Sequence, residues 1–306
     1  MSAQADAECV RCHAPTTASF GAHAWTDPIV VAERGDDTTG WCGSCHRPSG
    51  PSTGGQPANA PSTNEPSSGV GCVDCHVDQG VVLSPRSPTA SGLAAHAMRA
   101  AEWDGVRECA GCHEFRFPGA NDTRNVVFDP EGWLQRTASE WRSSPARQRG
   151  ETCVSCHMPD GGHAMRAAEG QLEVSARARS TDGGANALVT LTARGMGHAF
   201  PTGDMYRALE VRVWAPGAPE RAVTQRLTRH FARGADRLRR EVLDTRLVPG
   251  EPRRVLLRVS GSNLSELRWS VSLLRLPPER AARMRVEAPP RPLREGTVRV
   301  APPRRR

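Results

Sequence analysis

All ten cysteines of this chain occur in pairs with two intervening residues, and a histidine directly follows each pair. Two thiols at this spacing can add to the two vinyl groups of a haem, and the adjacent imidazole can ligate the iron from the proximal side. The sequence therefore predicts five covalently bound haem c groups. The predicted attachment residues are Cys9, Cys12, Cys42, Cys45, Cys72, Cys75, Cys109, Cys112, Cys153 and Cys156, and the predicted proximal ligands are His13, His46, His76, His113 and His157.

Cysteine pairs of this kind have other interpretations. They can form zinc ribbons or a redox dithiol, and ten cysteines in an exported chain can form five disulfides. Zinc ribbons do not need a histidine directly after the second cysteine, and disulfide frameworks do not need a fixed spacing. Because both features occur five times without exception, haem attachment is the interpretation favoured here.

Five histidines lie outside the motifs, and each is a candidate distal ligand: His23, His96, His163, His198 and His230. His23 lies in a short apolar stretch, and His96 lies in an alanine-rich segment whose small side chains let a macrocycle approach closely. His163 follows a glycine turn six residues after His157, so the haem of its own motif and a neighbouring haem are equally good targets.

The last two candidates lie in the second half of the chain. His198 stands between glycines in a segment where Pro201 favours an extended Phe200, which indicates a rigid loop between strands. His230 stands among arginines at a strand end, where a ligand role and a surface role both fit. If His230 is not a ligand, one haem has methionine, a non-side-chain ligand or an open position. Met98, Met165, Met196 and Met205 keep a His/Met haem open, which would raise the reduction potential.

The elements that must hold these residues differ between the two halves. Residues 1–168 have few periodic segments, with short helices expected at 91–103 and 131–142, and the haems themselves are expected to form the core. From residue 170 apolar and polar residues alternate over 172–178, 187–191, 209–213, 255–259 and 267–273, which is typical of half-buried strands. The predicted fold class is therefore α+β: an irregular, short-helical pentahaem domain over 1–168, then an antiparallel β-sandwich over 169–306 that contributes a haem-ligand loop.

Charge follows the same division. The chain has a net charge of +7, with 12 arginines against 19 acidic residues in 1–165 and 28 against 14 in 166–306, and it has no lysine. A basic β-domain invites a nucleic-acid interpretation. Export and the strand alternation favour instead an arginine-rich solvated face that docks on the acidic surface of a partner protein.

The compartment follows from the cofactor. Covalent haem attachment takes place outside the bacterial cytoplasm, so we expect a periplasmic or extracellular, outer-surface protein. No segment reaches the length of apolar residues that a transmembrane helix needs. The first residues, Met1–Ala7, contain no signal peptide.

Beyond the haem motifs, three short segments carry a family resemblance. They are Glu140-Trp-Arg-Ser-Ser-Pro145, Cys156-His-Met-Pro159 and His198-Ala-Phe-Pro-Thr-Gly203, and Asp244-Thr-Arg-Leu-Val-Pro-Gly-Glu251 is also familiar. Together they resemble multihaem cytochromes of the class that includes the small tetrahaem electron acceptors of hydroxylamine oxidation, here with an appended β-sandwich. The resemblance implies closely packed, mostly bis-His haems, with His198 as a distal ligand.

The leading hypothesis is an electron carrier rather than an enzyme, relaying electrons between redox proteins such as cytochromes or a membrane quinol-oxidising complex. One alternative is a multihaem reductase with one open iron, acting on nitrite, hydroxylamine or a sulfur oxyanion. Some such enzymes use lysine as the proximal ligand, and the lack of lysine excludes that design. Another is a subunit of a homo-oligomeric cytochrome filament or outer-surface complex.

Overall fold

In a computed structural model of the chain, two compact units are present. The first comprises residues 1–131 and 150–168, and the second comprises residues 132–149 and 169–306. The second unit thus includes residues 132–149, which lie before the predicted domain boundary at residue 168. The structure describes Cys9, Ile29, and residues 72–84, 98–101, 105–118, 128–159, 163, 171–236 and 238–303.

In the first unit, the three described motifs are short helices. They are Cys72–His76, Cys153–His157 and the final residues of Val106–His113. Since an α-helix has about 3.6 residues per turn, each turn brings its two cysteines and its histidine close together. Thr152 caps the N-terminus of the Cys153–His157 helix with a capping box. In it, Ser155 N–H donates to Thr152 Oγ1 (3.0 Å) and Thr152 N–H donates to Ser155 Oγ (2.8 Å).

A small sheet follows the Cys72–His76 helix directly. Its strands are β1 (Val77–Asp78), β2 (Val81–Ser84) and β3 (Met98–Ala100). The two-residue turn between β1 and β2 has positive φ at Gln79 (50°) and Gly80 (78°), as tight hairpins require. The helix predicted over 91–103 is wrong at residues 98–100, because these residues pair in parallel with β2. Residues 91–97 and 102–103 of that prediction lie outside the described part.

A second short sheet is formed by β4 (Glu114–Pro118) and β5 (Phe128–Arg136). The helix predicted over 131–142 is therefore wrong at 131–136, which belong to β5, and correct at Thr137–Arg142. A further helical turn, Pro145–Gln148, follows after Ser144, whose side chain accepts a hydrogen bond from Arg147 N–H. Residues 132–149 belong to the second unit.

The rest of the second unit is mainly strands, and all five alternating segments predicted from the sequence are confirmed as strands. The strands are β6 (Gln171–Thr181), β7 (Gly184–Arg194), β8 (Ala208–Trp214), β9 (Val223–Leu227), β10 (Arg229–Arg233), β11 (Arg239–Asp244), β12 (Pro252–Ser260), β13 (Glu266–Leu274) and β14 (Arg291–Ala301). A 3₁₀ turn, Pro219–Arg221, and a helix, Pro278–Met284, complete the described elements of this unit.

Seven of these strands form one sheet in the order β12-β7-β6-β14-β13-β8-β9, and β10 pairs with β11 as a separate hairpin. The sheet curls so that its two end strands, β12 and β9, approach each other. This architecture differs from the predicted antiparallel sandwich of two sheets. The reason is β14, which pairs antiparallel with β13 along its length and parallel with β6 near its end, and so joins the two halves.

The core of this unit lies inside the curled sheet. The inward residues of β7, β8, β12 and β13 are buried, among them Val189, Leu191, Leu209, Val211 and Leu267, each with no exposed surface. Burying a side chain of this size stabilises the fold by about 1.5–3 kcal/mol. The second unit therefore has its own apolar core.

Candidate haem attachment site

The His76 imidazole is oriented by the hairpin that follows its motif. The tight turn at Gln79 and Gly80 brings β2 back alongside, and the Leu83 carbonyl lies 3.2 Å from His76 Nδ1. Because a carbonyl only accepts, Nδ1 carries the proton and donates, so the lone pair of the ring, which is the metal-binding group of an imidazole, lies on Nε2. Leu83 itself is fully buried, so the accepting carbonyl is held in place.

Ion pairs fasten this hairpin to its neighbours. Asp78 accepts from Arg99 of β3 at 2.6 Å and lies 3.3 Å from Arg107 of the Val106–His113 helix. Both arginines are about half exposed, so each pair stabilises the fold by less than about 1 kcal/mol. Their role is to set the third motif beside the fourth.

A second imidazole lies close to the first. The rings of His76 and His163 have centroids 5.7 Å apart and planes inclined by 34°. Both side chains are half-buried in the first unit. The structure therefore pairs a predicted proximal ligand with a predicted distal ligand.

The thiols of three motifs converge in the same unit. The Cys109 and Cys153 side chains share a hydrogen bond, which together with burial raises the pKa of Cys109 well above its usual range. Burial, with the nearby charges of Asp74 and Glu108, raises the pKa of Cys75 to about 11. None of the seven described cysteines is in a disulfide. Within the described residues, no three His, Cys, Asp or Glu side chains assemble into a metal-ion site.

Close packing of two motif helices explains the contact between Cys109 and Cys153. Gly105 precedes the Val106–His113 helix with φ of 77°, and a Cβ at this position would lie 2.7 Å from Cys153 Cβ and 3.1 Å from Val154 Cγ2. Only glycine allows both this backbone conformation and this approach. Gly105 therefore sets the distance between the fourth and fifth motifs.

These residues fit haem c. Each described motif offers two thiols and one imidazole on one short helix, and in the Cys72–His76 motif the hydrogen bond to the Leu83 carbonyl places the His76 proton on Nδ1. Cys9 is helical and half-buried. The other predicted ligands and attachment residues of the first two motifs and two distal candidates lie outside the described residues: Cys12, His13, His23, Cys42, Cys45, His46 and His96.

His198 lies in the loop between β7 and β8 of the second unit. It is half-buried, and its Nδ1 lies 3.2 Å from the Ala199 carbonyl, so Nδ1 carries the proton and the lone pair of the ring lies on Nε2. Phe200 exchanges two backbone hydrogen bonds with Leu247, each of 2.9 Å, and the Phe200-Pro201 peptide is cis. Gly197 packs against Trp141 and Ala146, where a Cβ would lie 3.2 Å from the Trp141 ring.

A charged network holds this loop. The Arg246 side chain, only 3% exposed, donates to Glu140 Oε1 (2.5 Å), to Asp244 Oδ2 (2.8 Å) and to the Pro201 carbonyl (3.3 Å). Glu140 also accepts from the Thr202 hydroxyl at 3.3 Å. Burial alone would lower the pKa of Arg246, but hydrogen bonds and charges from Asp244 and Glu140 outweigh it and raise the pKa. The guanidinium therefore stays protonated.

This network was not predicted from the sequence, although its members lie in the segments that carry the family resemblance. Glu140 lies in the segment 140–145, and Asp244 and Arg246 lie in the segment 244–251. Pro201 and Thr202 lie in the segment 198–203. A second buried arginine, Arg229, adds to it by donating to Glu241 and to the carbonyls of Trp133 and Leu134. The sequence showed only that each segment resembles its counterpart in the family. The contact between the segments is seen only in the folded structure.

His230 has a different setting. It is exposed on β10, beside a bulge in the β10–β11 hairpin, and its Nε2 lies 3.4 Å from the Thr245 hydroxyl. His230 Nε2, which would be the metal-binding nitrogen, thus lies near the Thr245 hydroxyl as a hydrogen-bond partner. The ligand role of His230 stays a prediction, as do those of the other nine histidines.

Comparisons with known proteins agree with the fold. No family model and no curated protein matches this sequence. The structure is similar to the crystal structure of a penta-heme cytochrome c552 from Thermochromatium tepidum, with a TM-score of 0.68 over 98% of this chain and 99% of that chain. The two sequences are 17% identical, so the likeness is one of fold. The chain thus has the fold of a multihaem c-type cytochrome.

None of the described helices has both the length and the apolar character needed to cross a bilayer.

Proposed function

We propose that this protein is a periplasmic or extracellular electron carrier with five covalently bound haem c groups, mostly with two histidine ligands. The observation that carries the proposal is the convergence of three haem motifs in one compact unit, with the Cys109 and Cys153 thiols in contact. The similar fold of a penta-heme cytochrome supports the same conclusion.

Haem iron, when bound, supplies a one-electron couple whose potential depends on its axial ligands, its burial and nearby hydrogen bonds. The chain's own residues would set these properties. The Leu83 carbonyl fixes the His76 tautomer and increases the basicity of its Nε2, which favours the ferric state. The contact between Cys109 and Cys153 would hold the edges of two attached groups side by side, so that electrons pass between them without a mobile carrier.

The partners we propose are other redox proteins, either cytochromes or a membrane quinol-oxidising complex. The experiment is a redox titration of the purified holoprotein, followed by stopped-flow mixing of the reduced form with carbon monoxide. The proposal predicts five electrons taken up per chain and carbon monoxide binding to at most one haem. Carbon monoxide binding to most of the reduced haems would contradict it.

A second candidate is a reductase with one open iron, and the setting of His230 favours it. His230 is exposed with Nε2 near Thr245, so one haem would lack a histidine on its distal side if His230 does not ligate. This candidate predicts a high-spin ferric signal from one haem and reoxidation of the reduced protein by hydroxylamine or nitrite. An electron carrier with five closed irons shows neither.

A further inference from the structure

The contact between His76 and His163 indicates which haem His163 would serve. His163 belongs to the segment after the fifth motif, whereas His76 is the proximal histidine of the third. Sequence reasoning left the haem of its own motif and a neighbouring haem as equal targets for His163. The structure places its ring 5.7 Å from that of His76.

This separation is close to the one that a shared iron requires. Metal–imidazole bonds of about 2 Å on opposite sides of one metal put the two ring centres about 6 Å apart. The inclination of 34° is also suitable, because two ligand planes need only contain the same axis through the metal. In the tautomer that the Leu83 carbonyl sets, the lone pair of the His76 ring lies on Nε2.

We propose that His163 is the distal ligand of the iron whose proximal ligand is His76. The inference rests on the proposed function, because it requires haem at Cys72 and Cys75. It ties the chain after the fifth motif to the third haem, while the Cys109–Cys153 contact ties the fourth motif to the fifth. The third, fourth and fifth haems then form one contiguous group.

The test uses the full-length holoprotein carrying His163→Ala. Intact mass is measured first and is expected to show all five haems still attached, since His163 takes no part in thioether formation. The ferric electron paramagnetic resonance spectrum is then expected to show one haem in five converted to high spin, with carbon monoxide binding to that haem after reduction. Low-spin spectra for all five haems would overturn the proposal, whereas a variant and wild type without haem would overturn the proposed function instead.

Two further variants keep the result interpretable. His163→Gly leaves room for added imidazole, which is expected to restore the low-spin signal, as a merely structural role would not. Met98→Ala is the matched control, because Met98 lies on β3 beside β2 and is the alternative ligand nearest in the sheet. It is expected to leave every haem low-spin. A high-spin haem in Met98→Ala, with none in His163→Ala, would identify methionine as the ligand.

The identity of the haem is tested by removing single attachment sites. In a Cys72→Ala/Cys75→Ala background the third haem is absent, so adding His163→Ala is expected to create no new high-spin haem. In a Cys153→Ala/Cys156→Ala background the same change is expected to create one. The opposite pattern would assign His163 to the haem of its own motif and overturn the proposal.

Discussion

At the scale of single residues, the guanidinium of Arg246 shows how this chain positions a loop with charge. Arg246 is buried, and the side chains of its partners Glu140 and Asp244 are 11% and 26% exposed. Removing one member of a buried ion pair costs about 3–5 kcal/mol, because the remaining charges lose their compensation. The network is therefore a strict requirement for the loop that carries His198.

We expect Arg246→Met to lower the free energy of unfolding of the second unit by about 3 kcal/mol. Denaturant unfolding followed by far-ultraviolet circular dichroism measures this. The matched control is Arg221→Met, since Arg221 and Glu220 form an exposed pair at 3.9 Å. The control should change stability by less than about 0.5 kcal/mol. Equal effects of the two substitutions would show that the Arg246 network does not stabilise the unit.

Asp244 makes this stabilisation dependent on pH. Burial alone would raise the pKa of Asp244, but hydrogen bonds and charge from Arg246 outweigh it and lower the pKa below its usual value. A carboxyl whose folded pKa is depressed contributes stability that is fully present above its unfolded pKa and is lost as pH falls through its folded pKa.

We therefore expect the difference in unfolding free energy between wild type and Asp244→Asn to be constant near neutral pH and to shrink below about pH 4. Unfolding curves at several pH values measure it. Asp182→Asn, at an exposed turn, is the control and should show no such trend. A difference that grows on acidification would contradict the sign of the linkage.

Residue types and spacing predicted the haem motifs without any structure, because covalent haem attachment needs two thiols and an adjacent imidazole at this spacing. The pairing of His76 with His163 could not be predicted in the same way. It depends on where two distant segments meet, and the sequence around His163 fits two targets equally well. For the same reason, the contacts of Arg246 with Glu140 and Pro201 could not be predicted from the sequence.

At the scale of elements, the packing of the fourth motif helix on the fifth rests on a glycine. Gly105 has φ of 77° and faces Cys153 and Val154. Gly150 has nearly the same φ of 78°, but a Cβ there would meet nothing within 4 Å. The two positions separate the cost of a backbone conformation from the cost of a steric contact.

We expect Gly150→Ala to cost only the backbone term, about 1–2 kcal/mol. Gly105→Ala should cost about 1–3 kcal/mol more, because the added methyl group overlaps the Cys153 side chain. Thermal unfolding of both holoproteins compares them, and intact mass shows whether the fourth and fifth haems still attach. If the two variants have the same stability, the helices are not in the contact described.

The five strands β6, β7, β8, β12 and β13 were predictable because apolar and polar residues alternate along them. The short helices were less so. Residues 98–100 lie in an alanine-rich stretch that favours a helix, but pairing with β2 holds them extended. Residues 131–136 are extended as part of β5, which forms a two-stranded sheet with β4. Long-range pairing overrode local helix propensity in both places.

At the scale of the whole molecule, positive charge is concentrated on one face of the curled sheet. Arg254 and Arg258 of β12 and Arg177 and Arg179 of β6 are exposed on the same side, with β7 between them. We call these four arginines the basic face. Such a surface attracts an acidic partner protein and increases the rate of encounter.

Electron exchange with an acidic ferredoxin should therefore slow as ionic strength rises. Arg254→Glu/Arg258→Glu should weaken the salt dependence, whereas Arg254→Lys/Arg258→Lys should preserve it, because the charge is kept. Stopped-flow rates at several salt concentrations measure both. A rate in wild type that does not change with salt would exclude electrostatic docking on the basic face.

The change in hydrophobic periodicity near residue 170 predicted that the second half of the chain is built of strands. It did not predict that these strands form one nearly closed sheet. β14 is polar and largely exposed, with an alternation too weak to mark it as the strand that joins the two halves of the sheet. Its antiparallel pairing with β13 and parallel pairing with β6 convert an expected sandwich into a nearly closed single sheet. Such pairing depends on tertiary structure rather than on local pattern.

The central claim is that five thioether-bound haems provide the redox function of this protein. Intact mass spectrometry of the protein matured with haem, under denaturing conditions that remove non-covalent ligands, tests it most directly. The account predicts a mass exceeding that of the polypeptide by five haem groups. A mass equal to that of the bare polypeptide would contradict the account.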